Sequence, residues 1–163
     1  MSQKLFIYGT LKSGEPNRWL IDYLLRFKHI QEAPRPARTE DGFPLVTDPQ
    51  TDHVPILVDR KGQGECVEGE IVEVSEKGAL VLDEFEGLDQ EGEYKRISID
   101  VVNHLGESEK CSCYAYNGPE SEISRLLKLD FISSYSTKNQ PYSGSKEDKK
   151  FGEEICARIL KNH

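Results

Sequence analysis

Apolar residues arrive in short bursts along this chain, and the spacing inside each burst sorts them into elements. Leu5, Phe6, Ile7 and Tyr8 are consecutive, so Lys4 to Tyr8 reads as a strand buried on both faces. After Glu15-Pro16-Asn17 the rhythm becomes helical. Trp19, Leu20, Tyr23, Leu24 and Phe27 form one apolar stripe, with Pro16 tolerated in a first turn. Residues 31–42 hold Pro34, Pro36 and Gly42 and read as a loop. Phe43 to Val46 and Val54 to Val58 read as short strands on either side of the turn-rich DPQTD, and Arg60 to Gly64 as another turn. Val67 to Val74 is strand-like, but its apolar parity slips between Ile71 and Val72, which predicts a bulge.

Ser75 is a plausible N-cap for a short helix over EKGALVLDEFEG, with Glu76 in the first turn and Gly87 where a C-terminal glycine cap belongs. Arg96 to Asn103 alternates, placing Ile97, Ile99 and Val101 on one face. Cys111 to Tyr116 is its expected antiparallel partner across NHLGESEK. Glu120 to Lys128 reads as a helix. Residues 133–150 are rich in Ser, Lys, Tyr and Gly without apolar rhythm and read as a long loop or a partly disordered stretch. Phe151, Ile155, Ile159 and Leu160 mark a final amphipathic helix. Short strands with a few helices, outside strict βαβ alternation, indicate an α+β fold with a small curved sheet or barrel. The expected organisation is one domain over 1–132, with a loop and C-terminal helix over 133–163 packed on it or appended to it.

Composition narrows the function. At 163 residues, with 36% hydrophobic and 31% charged residues, the chain suits a soluble globular domain. A net charge of -8 argues against a nucleic-acid surface. The first apolar run is too short for a secretory h-region, and no stretch approaches a membrane span, so a cytoplasmic protein is expected. Cys66, Cys111, Cys113 and Cys156 form no CxxC pair and read as reduced thiols, and no zinc site is expected from them. The acidic run Asp89, Glu91 and Glu93 lacks the EF-hand pattern and reads as a solvated loop.

Three groups are candidates for chemistry. The strand ending in Tyr8 runs into Gly9-Thr10-Leu11. Neither a P-loop nor a dinucleotide fingerprint follows. Gly9 can instead turn the backbone so that successive N–H groups of Gly9, Thr10 and Leu11 form a small nest for a carboxylate or oxyanion, although a plain strand-to-loop turn gives the same letters. In LDEFEG, Glu86 falls at the border of the apolar stripe and at the negative end of the helix. Partial burial and the dipole both raise its pKa, as a general base working near neutrality requires; an exposed glutamate beside a cap is the plainer alternative. Asp83 and Glu84 are weaker candidates. Among Tyr94, Tyr114 and Tyr116, one phenol could line a pocket, and a core tyrosine with a satisfied hydroxyl is the competing reading. The histidines His29, His53, His104 and His163 support no Ser-His-Asp or Cys-His arrangement.

These segments together resemble the gamma-glutamylcyclotransferase superfamily, nearest to its branch acting on gamma-glutamylamines. The resemblance runs through Phe6 to Asn17 (FIYGTLKSGEPN), Phe43 to Val46 (FPLV), Val67 to Ile71 (VEGEI), Leu82 to Glu86 (LDEFE), Tyr94-Lys95-Arg96 and Cys113 to Tyr116 (CYAY). It covers roughly residues 4–117, and Ser134-Tyr135-Ser136 resembles a further loop of the relatives. It implies a small mixed β-barrel decorated by helices, with an active site at one end. Glu86 takes the place of the catalytic carboxylate, and Tyr8, Gly9, Thr10 and Leu11 that of the substrate loop; Tyr116 is a further expected substrate contact. No metal or organic cofactor is implied. The implied reaction cyclises an L-gamma-glutamyl amine, such as gamma-glutamyl-epsilon-lysine, and releases 5-oxoproline. The partner is then a small molecule, not nucleic acid or membrane, and a monomer is expected. Thr10 and Lys12 depart from the YGSL-aromatic pattern of the glutathione-specific branch. A non-enzymatic binding module, or a cyclotransferase for other gamma-glutamyl compounds, remains as an alternative.

Overall fold

The computed structural model describes residues 2–138 and 145–161. Seven strands and four helices follow in the order β1 (Ser2–Ile7), α1 (Arg18–Arg26), β2 (Arg35–Phe43), β3 (Leu45–Asp48), β4 (Val54–Leu57), β5 (Glu65–Ser75), α2 (Glu76–Phe85), β6 (Glu93–Asn103), β7 (Ser108–Asn117), α3 (Glu120–Leu126) and α4 (Ser145–Ile159). Five strands close into a barrel in the order β1-β5-β2-β6-β7, while β3 and β4 form a separate hairpin. The β1–β7 pair is parallel and closes the ring; the other pairs are antiparallel. The chain is thus α+β, as its pattern of elements predicts. No helix among the described residues is long and apolar enough to cross a membrane.

Alternation along the barrel strands feeds two separate clusters of the core. Phe6, Val67, Ile71, Val101, Cys113 and Ala115 point into one cluster inside the ring. Leu5, Ile7, Val72 and Val74 point outward into a second cluster, roofed by Leu20, Ile21 and Leu24 of α1 and by Leu82 of α2. Ile155 and Cys156 of α4, and Leu160 just beyond it, join the same roof. Because both faces of β5 are covered, Ile71 and Val72 are both buried in a continuous register, Phe6 opposite Ile71 and Leu5 opposite Val72. The parity slip therefore marks two-sided burial, and no bulge occurs there. A register shift occurs instead in the pairing of β5 with β2, on the β2 side between Arg38 and Gly42.

Residues 35–42, expected as loop, form β2 together with Phe43. Their sequence is polar because the strand is held by ladders to β5 and β6 on its two sides. Its fully buried Thr39 accepts from the Val67 N–H at 2.8 Å and donates to the Asp41 carbonyl. Pro44 separates the end of β2 from β3, so the strand expected over 43–46 is split between two elements. Helix α1 begins at Arg18, one residue after Asn17, and Pro16 precedes it. Residues 145–150, expected within a loop, form the first turns of α4; residues 139–144 of that stretch lie outside the described residues.

Candidate active site

Four chain segments meet at one end of the barrel and enclose a cavity of about 150 Å³. Its walls are the turn after β1, the end of α2, the start of β6 and the first turns of α4, with Val54 and Pro55 of the hairpin alongside. Gly9, Thr10 and Leu11 line it, but Leu11 turns its side chain into the core and presents backbone. The glycine is required by proximity: a Cβ on Gly9 would stand 2.7 Å from Pro55 Cγ. The turn closes through Lys12 N–H to the Gly9 carbonyl (3.1 Å) and Asn17 N–H to the Thr10 carbonyl (2.8 Å). Among the described residues, the N–H groups of Gly9, Thr10 and Leu11 donate to no protein acceptor.

Glu86 is delivered by helix termination. Ser75 caps the start of α2 by accepting from the Gly78 N–H at 3.1 Å. At the other end the Gly87 N–H bonds the Glu84 carbonyl and the Leu88 N–H bonds the Asp83 carbonyl, with Gly87 at φ 67. This closure fixes the residue just past the helix, and its side chain lines the cavity. Glu86 is half-buried, reached by solvent through the cavity, and enclosed on its other sides by protein. Loss of water pushes its carboxyl up to about 8, and the negative charges of Glu93 and Asp148 push the same way.

Three phenols brace the site. Tyr8 donates to the Tyr114 carbonyl at 2.6 Å and Tyr94 to the Pro55 carbonyl at 2.7 Å. Tyr114 donates to Asp83 Oδ1 at 2.7 Å, and Arg96 donates to the same oxygen through Nε and Nη2 at 2.9 and 2.7 Å. Burial raises the Tyr8 and Tyr114 phenols well above the usual range, so both remain protonated donors. Asp83 is therefore occupied by a structural pair, and Glu84 faces outward to Arg158.

The gamma-glutamyl cyclotransferase, AIG2-like family matches this chain over residues 5–133. The chain belongs to that family. A Drosophila melanogaster relative named "Putative gamma-glutamylcyclotransferase CG2811" is 34% identical over 147 residues, covering 88% of this chain and 87% of its own. The gamma-glutamylaminecyclotransferase of Mus musculus is 33% identical over 116 residues, covering 69% and 75%. The crystal structure of a Mus musculus AIG2-like protein superposes with a TM-score of 0.70 at 32% identity, over 87% of this chain and 95% of that one. The protein is a gamma-glutamylcyclotransferase-type enzyme.

Of the residues expected at the cyclotransferase site, Tyr8, Gly9, Thr10, Leu11 and Glu86 all line the cavity. Tyr116 does not. It shares a strand face with Tyr114, but two residues further along β7 it has passed the cavity and packs with Val46, Ile56, Val58 and Leu126. Tyr94 and Tyr114 occupy the wall instead. Three polar lining residues escape the sequence reading: Asn17, Glu93 and Asp148. Glu93 is hidden in an acidic run that reads as solvated loop, and Asp148 in a segment without apolar rhythm. Asn17, following Pro16 at a helix start, gives the one usable signal.

Proposed function

We propose that this cyclotransferase acts on L-gamma-glutamyl amines, of which gamma-glutamyl-epsilon-lysine is one, releasing 5-oxoproline and the free amine. Glu86 is the general acid and base, and the backbone of the Tyr8–Leu11 turn holds the substrate's carboxylate or the developing oxyanion. The substrate carries its own nucleophile. Its α-amine attacks the γ-carbonyl carbon, the ring C–N bond forms, and the γ-amide C–N bond breaks. The proton lost by the α-ammonium passes through Glu86 to the leaving amine, so neither water nor oxidant is consumed. Closing a five-membered ring within one bound molecule removes most of the entropic barrier, which leaves the protein to fold the substrate and move one proton.

The supporting observation is a half-buried carboxyl, pushed up to about 8, sharing a cavity with a turn whose amides have no protein acceptor. At about 150 Å³ the cavity is of the size that holds one small ring. The test is 5-oxoproline release from a panel of gamma-glutamyl amines. Glu86→Gln keeps size and shape but cannot carry the proton, and is expected to lose about a thousandfold in kcat with its far-ultraviolet spectrum unchanged. Wild-type turnover by that variant removes Glu86 from the mechanism.

A further inference from the structure

The turn after β1 is fastened to a distant part of the chain by side chains that lie outside the cavity. Lys12 follows directly on Gly9, Thr10 and Leu11 but does not line the cavity with them. Its ammonium donates to the Tyr135 carbonyl at 2.8 Å and to Ser134 Oγ at 3.4 Å. Three residues on, Glu15 Oε1 accepts from the N–H and from the hydroxyl of Thr137, each at 3.0 Å. A cation and an anion of one short segment thus grip residues 134–137 from two points.

The gripped segment is a fixed post. Ile132 N–H donates to the Leu45 carbonyl of β3, and the Ser133 carbonyl accepts from the Glu68 N–H of β5, both at 2.8 Å. Tyr135 is 1% exposed and joins the inner cluster that holds Phe6 and Tyr8. These contacts keep the post in place without the turn. The turn's own closing bonds, Lys12 N–H to Gly9 and Asn17 N–H to Thr10, fix its shape, and the Ser13 N–H reaches Glu70 only at 3.3 Å. Its placement is left to Leu11 in the core and to the clamp. Lys12 ends on a neutral carbonyl among acidic side chains, of which Glu15 serves Thr137 and Glu70 serves Arg18 at 2.6 Å. Half-buried there, its ammonium has lost water and is pushed below the ordinary lysine range. An exposed ion pair would not carry that cost, so charge pairing alone does not explain the contact.

We infer that Lys12 and Glu15 are positioning residues of the cyclotransferase: through the post at 134–137 they hold the amides of Gly9, Thr10 and Leu11 where the substrate's anionic group is met. This rests on the role proposed above for the turn. Backbone donors cannot be re-aimed by a change of rotamer, so they are placed only as well as the chain that carries them. Such donors act by preorganisation, and a displacement of ~1 Å can cost about a hundredfold in rate. Neither side chain touches the substrate; both act through the turn.

The experiment measures 5-oxoproline release from the panel of gamma-glutamyl amines across pH. Lys12→Met keeps most of the stem and removes the donors, and is expected to lose about tenfold in kcat/KM. Lys12→Arg restores charge and donors and is expected to recover most of that loss. The acid limb of the profile stays in place, because Glu86 is shifted by burial, Glu93 and Asp148 and not by Lys12. Glu15→Met is expected to lose as much as Lys12→Met, and the double variant little more than either, since both contacts serve one post. A general loosening of the cavity would instead readmit water to Glu86 and carry the limb to lower pH. A limb that moves in this way, full activity in Lys12→Met, additive losses, or no recovery in Lys12→Arg overturns the inference. Release of 5-oxoproline from no member of the panel by the wild type overturns the gamma-glutamylamine reading instead. Amide exchange at Thr137 then decides the clamp by itself: it is expected to speed up in Lys12→Met, although its acceptor Glu15 is intact, and not in Lys12→Arg, and an unchanged rate in Lys12→Met overturns the inference.

Discussion

Glu86 owes its titration first to lost water and second to its neighbours, and the two contributions can be separated. Burial is set by the fold, but the charge of Glu93 can be removed with one atom exchanged. As the proposed base Glu86 works ionised, so kcat/KM is expected to rise with pH through its free-enzyme value of about 8. Glu93→Gln deletes a like charge, lowers that value and is expected to move the acid limb to lower pH by about half a unit. An unmoved limb in the pH–rate profile assigns it to another group. At this scale the carboxylate that lines the cavity was legible in the sequence because it stands at the edge of a helical stripe beside a capping glycine. The reason for Gly9 was not. It follows from the approach of Pro55, which comes from a hairpin 46 positions away (55 − 9) and leaves no local mark.

At the scale of elements, legibility follows whether an element earns its place through its own apolar pattern. β1, α2 and the β6–β7 hairpin do, and their residues announce them. β2 is held by backbone ladders on both sides and needs little apolar surface, so its proline-bearing, charged sequence reads as loop. The start of α4 is polar because one face meets solvent while Asp148 meets the cavity. α3 is attached to the β3–β4 hairpin in a way no sequence pattern shows. Arg125 grips the buried Asp48 through two hydrogen bonds of 3.0 and 2.8 Å, and this holds the Asp48 carboxyl below its usual range. Arg125→Met keeps most of the apolar stem and strands the carboxylate. It is expected to cost about 2 kcal/mol in urea denaturation at neutral pH. Folded Asp48 titrates below its unfolded value, so the pair stabilises above the ordinary carboxylate range and the contribution fades as pH falls. The penalty in the variant should shrink on acidification; a penalty constant with pH would mean that packing of the arginine stem, and not the ion pair, joins the helix to the hairpin.

For the whole molecule, the active site is a standing liability, and its size can be measured through the pH dependence of stability. The unfolded chain ionises residue 86 near its ordinary value of 4.5, while the folded chain holds the proton up to about 8. Between those values the native state binds a proton that the unfolded state has released. Stability from this group is therefore complete below the lower value, declines as pH rises, and is gone above the upper one. Asp48 and Glu109 act with the opposite sign, their carboxyls being held low by Arg125 and by Arg35, and they lose stability on acidification. Both are present in the wild type and in Glu86→Gln, so they cancel when the two proteins are compared at each pH. What remains is the Glu86 contribution alone, since glutamine does not titrate. The variant is expected to match the wild type near pH 4 and to exceed it progressively up to about pH 8. The difference then levels off on the order of 2 kcal/mol once the water admitted by the cavity is allowed for, or roughly 4–8 °C in Tm for a chain of this size. Parallel stability curves for the two proteins would mean that residue 86 keeps its water in the folded state, and the base proposed for ring closure would then be an ordinary surface glutamate.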